Sequence, residues 1–117
     1  AFENASKYSD TGEIQSRIAS IYLDLGKDKQ AYKASQKAAK KGEVKNASTN
    51  YATMGSALIN MHCYKDAVKA FNKSVKTAKT KKAKRYPAQW IKFANAEGSR
   101  LQKLRDVGAT VPGCSKA

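Results

Sequence analysis

Residues 51–71 read YATMGSALINMHCYKDAVKAF, and their large and small apolar side chains fall at fixed intervals. Tyr51, Met54 and Leu58 lie on one face of a helix with Gly55 beside them; Ala67 and Phe71 recur one turn apart in a second helical stretch. Two antiparallel helices approach closely only where a side chain is nearly absent, and Gly55 and Ala67 supply those gaps. Tyr51, Met54, Leu58 and Phe71 then fill the space around the crossing. A chain with this ladder is constrained to a tightly crossed helix pair.

A weaker copy of the ladder lies upstream. Gln15, Ile18, Ala19 and Tyr22, followed by Ala31 and Ser35, keep the same spacings, and Ala31 precedes Ala67 by 36 residues. Ladder and period resemble the tetratricopeptide repeat (TPR) family, whose repeat is roughly 34 residues. The resemblance implies an all-α fold: a TPR-like right-handed superhelix of antiparallel helix pairs closed by a C-terminal capping helix. It also implies a non-enzymatic scaffold for protein–protein interaction. An ordinary all-α bundle would share the periodicity but would not demand the repeated Gly/Ala positions.

Taken in order, residues 1–7 (AFENASK) echo residues 70–76 (AFNKSVK), so 1–9 are expected to end a truncated preceding helix. The chain is then the C-terminal portion of a longer array. Residues 10–42 form the first repeat. Asp10 and Glu13 read as a capping box, Ile14, Ile18, Ile21, Tyr22 and Leu25 follow at helical spacing, and Gly26 stops the helix. Asp28 is the expected N-cap of its partner, which runs to Gly42. Residues 46–80 form the second repeat, with His62 and Cys63 in its turn. Lys81, Lys82, Ala83, Lys84 and Arg85 read as a basic link, and Pro87 as the first turn of a capping helix over 87–106. In it Trp90, Phe93, Ala94, Leu101 and Leu104 can face the preceding pair, while Lys92, Arg100, Lys103 and Arg105 face water. Residues 107–117, with Gly108, Pro112 and Gly113, read as an irregular tail.

Several classes of function find no support. The single histidine, His62, sits in a turn, and no CxxC or HxxxH spacing supplies metal ligands. The nine carboxylates are scattered, not paired for acid–base work, and Gly12, Gly26 and Gly42 mark helix ends instead of a phosphate loop. No catalytic, cofactor-binding or metal-binding residues are assigned, and no small-molecule substrate is expected. No apolar run approaches the length of a membrane span.

Two surfaces remain as candidates. Formal net charge is +14, and the lysines are regular: Lys29, Lys33, Lys37 and Lys40 line one helix, and Lys65, Lys69, Lys73 and Lys76 repeat the row. These ridges lie opposite the apolar stripes, on the expected convex face. They would attract a polyanion, nucleic acid or an anionic surface, or serve only as a solvated face. Scarce arginine and the lack of interleaved aromatics argue against nucleic acid. The concave face of a TPR array takes a peptide or partner helix. Here it would offer Ser16, Ser20, Leu23, Asp24, Ala52, Ser56, Ile59 and Asn60, with Gln89, Lys92 and Asn95 added by the last helix. TPR domains that grip acidic chaperone tails use converging Lys, Asn and Arg, where this chain has Ser16, Ser20 and Thr53. The chain could instead be a structural end-cap, or self-associate through the exposed edge of its N-terminal repeat.

The stretch Gln89-Trp90-Ile91-Lys92-Phe93, followed by Glu97 and Arg100, resembles the end of bacterial periplasmic TPR proteins associated with TonB-type energy-transducing systems. That resemblance implies a periplasmic adaptor touching TonB-system components; without it a cytoplasmic location stays open. In the TPR arrangement, the capping helix would end beside the helix that precedes Cys63. The tail from there to Cys114 is long enough to cross, which favours a Cys63–Cys114 disulfide over two unrelated thiols.

Overall fold

A computed structural model of the chain describes residues 11–116, and every regular element among them is helical. The helices are α1 (Gly12–Asp24), α2 (Asp28–Lys41), α3 (Ala47–Asn60), α4 (Tyr64–Thr77) and α5 (Lys81–Asp106). Each packs on the next. In addition α1 touches α3 and α3 touches α5, whereas α2 and α4 do not meet. The odd helices thus form one layer and the even helices a second. The array measures 52 × 32 × 21 Å, elongated as expected when elements stack in one direction. The helix end expected over residues 1–9, and Asp10 of the capping box, lie outside the described residues.

The core follows the ladder. Phe71 is fully buried, and a β-carbon added at Gly55 would stand 2.7 Å from its ring. No side chain fits there, so the ring of α4 lies directly on the backbone of α3. Ala31, Ala57, Leu58, Met61, Cys63, Ala67 and Ala70 complete this cluster. In the first pair the residues at the two corresponding places are Ala19 and Ser35, both fully buried. A smaller side chain on α2 leaves room for a larger one on α1. Gly12 makes a second close approach: its N–H donates to the Gly42 carbonyl at 2.8 Å.

The three odd helices end alike. Lys27 N donates to Tyr22 O (2.9 Å), Cys63 N to Leu58 O (2.8 Å) and Ala109 N to Leu104 O (2.9 Å). Each turn needs one left-handed residue: Gly26 (φ 75°), His62 (φ 61°) and Gly108 (φ 86°). His62 therefore stands where the other two turns have glycine, and its ring Nδ1 meets the Tyr64 hydroxyl at 3.2 Å.

Two local expectations need correction. The Lys81–Arg85 link is helical, so the last helix is 26 residues long and holds Pro87 inside it. Thr80 Oγ1 caps it by accepting from Ala83 N (3.0 Å), and the lysine- and alanine-rich opening has high helix propensity. Asp28 opens α2 as its first residue, not its N-cap; its carboxylate accepts from Asn60 Nδ2 (3.0 Å). Glu13 accepts from Lys45 N (3.1 Å) and pairs with Arg17 (3.3 Å).

Gly55→Leu is expected to lower unfolding free energy by about 1–3 kcal/mol or more, since Phe71 must be displaced. Gly113→Ala, which meets nothing within 4 Å, should match the parent in the same urea titration.

Candidate functional site

Between α3 and the opening of α5 the packing leaves a cleft of about 320 Å³. Leu23 of α1, Ala52 and Ser56 of α3, and Ala83, Tyr86 and Pro87 of α5 line it, with Asn46, Ser48, Thr49, Thr53 and Ser74. The floor is polar but internally satisfied. Ser48 Oγ donates to Ser74 O and Ser74 Oγ to Ser48 O, both at 2.8 Å, tying α3 to α4. Thr53 Oγ1 donates back to Thr49 O (3.0 Å), and Asn46 caps α3 through Thr49 N (3.0 Å). A binding partner is offered methyl groups, a half-exposed phenol ring and the Ser56 hydroxyl. No charged side chain lines the cleft.

Of the eight residues expected on the concave face, three line this cleft: Leu23, Ala52 and Ser56. Ser16, Ser20 and Asp24 are not among its walls; Ser16 is half-buried and the other two are exposed on α1. Ile59 packs against the core, and Asn60 is engaged with Asp28. From the last helix Tyr86 contributes, in place of Gln89, Lys92 and Asn95. The extra helical turn before Pro87 brings Tyr86 to the cleft. At the opposite end of the array, α1 leaves Ile21 and Leu25 exposed.

The eight ridge lysines, Lys29, Lys33, Lys37, Lys40, Lys65, Lys69, Lys73 and Lys76, are all exposed, and Lys73 Nζ lies 5.7 Å from the centre of the Tyr51 ring. Sequence reasoning missed the company that α5 provides. Trp90 stacks on Phe71 with ring centres 6.2 Å apart, and it holds Tyr86 at 6.1 Å and Phe93 at 5.4 Å. Phe93 was expected to face the preceding pair, but it is 45% exposed, and Tyr86 is 52% exposed. Cations and aromatics are therefore interleaved on α5. The signal lay in Lys81 to Phe93, KKAKRYPAQWIKF, once it is laid on a single helix.

A second, larger cleft of about 680 Å³ separates the start of α4 from the end of α5. The disulfide Cys63–Cys114, with α-carbons 4.5 Å apart, forms one wall. The irregular tail is tied at several points besides. Ser115 N donates to Met61 O (3.0 Å), Arg105 to Pro112 O (3.0 Å), and Lys116 pairs with Asp66. That hydrogen bond raises the Lys116 pKa. Burial raises the Tyr64 phenol, with the Glu97 charge adding to it and Arg100 opposing it. The hydrogen bond to Glu97 in turn raises Arg100. Among the described residues, no group of His, Cys, Asp and Glu could hold a metal ion, and no helix is long and apolar enough to cross a membrane.

No family model, curated protein or solved structure matches this chain.

Unreduced protein is expected to show no alkylatable thiol by mass spectrometry. Cys114→Ser should cost roughly 2–4 kcal/mol in chemical denaturation, because the bond closes a long loop.

Proposed function

We propose that the chain is a non-enzymatic, TPR-like scaffold that docks an extended peptide or partner helix in the cleft between α3 and α5. The carrying observation is that Leu23, Ala52 and Ser56, from two helices of the same layer, line one cleft with Tyr86 of a third. The cleft's small side chains admit a backbone closely, and the phenol ring offers one flat anchor. Support for a TPR-like array comes from the 36-residue offset of the two ladders, the alternating layers and the shared turn that ends each odd helix.

A bacterial envelope location is part of the proposal. The Cys63–Cys114 crosslink suits an oxidising compartment such as the periplasm. The likeness of Gln89-Trp90-Ile91-Lys92-Phe93, with Glu97 and Arg100, to TPR proteins associated with TonB-type systems points the same way. Its partner would then be a subunit of an envelope complex.

Pull-downs from envelope extract with three baits test the cleft. A partner retained by the parent chain and by Lys33→Glu/Lys69→Glu, but lost with Ser56→Arg, is the expected result. Loss with the lysine pair and retention with Ser56→Arg would place binding on the ridges and end the proposal.

A further inference from the structure

The charges of this chain are segregated as well as numerous. Residues 67–96 contain nine lysines and arginines and not one aspartate or glutamate. The stretch covers most of α4 and the first half of α5, two helices packed against each other. Its densest part is the opening of α5, where Lys81, Lys82, Lys84 and Arg85 are all exposed. Cations at the start of a helix oppose its macrodipole, and alanine, glutamine or glutamate would serve helix propensity there without that cost. Among the described residues, the ion pairs Arg17–Glu13, Arg100–Glu97 and Lys116–Asp66 all lie outside the stretch. Among the described residues no ion pair neutralises this end of the array, and Tyr86 and Phe93 stand half-exposed at its border.

We propose that the α4–α5 end of the molecule rests on an anionic lipid bilayer, with lysines on the headgroups and Tyr86 and Phe93 at the interface. The choice of lipid over nucleic acid comes from the rings and the cations. Phe93 stands edge-on to Trp90 at 79° and Tyr86 is tilted to it at 60°, so neither exposed ring continues the Phe71–Trp90 stack as a platform for bases. Eight of the nine cations are lysine, a point charge suited to diffuse attraction and poor at bidentate phosphate recognition. Lysine stems and amphipathic rings are the groups that settle at a headgroup boundary. No described helix can span a membrane, so the contact is superficial and electrostatic. Tyr86 is also a wall of the peptide cleft, so the bilayer contact borders that cleft instead of lying apart from it.

Trp90, the sole tryptophan, sits between the two rings and reports on the contact. The chain is mixed with vesicles of phosphatidylcholine carrying a minority of phosphatidylglycerol, and with pure phosphatidylcholine vesicles. Expected are co-sedimentation with the anionic vesicles only, a blue shift of Trp90 emission, and loss of both on raising salt. Lys82→Gln/Arg85→Gln should weaken binding about tenfold or more, given the worth of each cation near a charged surface. Phe93→Ser should reduce the emission shift while leaving sedimentation mostly intact. Lys33→Gln/Lys37→Gln, on α2, should change neither. Circular dichroism checks that each variant keeps its helices; Lys81→Gln/Lys84→Gln replaces any that does not. Equal binding to both vesicle types overturns the proposal. So does an equal loss from the α2 variant, which would mean net charge alone, or displacement from vesicles by a single-stranded oligonucleotide that quenches Trp90.

Discussion

The Phe71 ring lying on the bare backbone of Gly55 is the contact on which the rest of the molecule depends. It draws α3 and α4 close enough for Ser48 and Ser74 to exchange hydrogen bonds at the far end of the same pair. It also leaves the outer face of Phe71 flat and available. Trp90 stacks there, nearly parallel at 13°, and so fixes where α5 sits. The order of causes runs outward: a missing β-carbon, a seated ring, a stacked indole, a positioned last helix. The cleft beside α3 exists because α5 is held by α4 and barely reaches α3.

Much of this was legible in the sequence because it rests on periodicity and volume. The ladder over residues 51–71 specified a crossing at Gly55, and the same spacings located α1 and α2. The opening of α5 was not legible. Pro87 reads as a helix start, since it lacks an N–H and prefers the first turn. Six residues before it, however, have strong helix propensity and a threonine cap, and together they outweigh one lost hydrogen bond. That misplacement hid the aromatic–basic face and moved the α5 contribution to the cleft from Gln89 to Tyr86. Asp28 was misread for a related reason. Its carboxylate bonds across the array to Asn60, and such a partner cannot be seen within one helix.

Polar burial follows a rule that local patterns do not display. Ser35 and Ser74 are fully buried, yet each is a small polar residue in a lysine-rich helix. Their surroundings become clear only in three dimensions: Asn50 Nδ2 reaches the Ser35 carbonyl at 3.0 Å, and Ser74 pairs with Ser48. These bonds join neighbouring helices through their backbones, so they depend on register as apolar contacts do not.

The Cys63–Cys114 bond also has a mechanical side. It joins the tail to the turn that follows α3, 51 residues back along the chain. Tension applied at the tail therefore passes through sulfur directly into α3. Both α4 and α5 lie inside the closed loop and, once the Lys116–Asp66 pair has parted, carry none of it along the covalent chain. A molecule pulled from this end would hold its last two helices slack while the load fell on the first three.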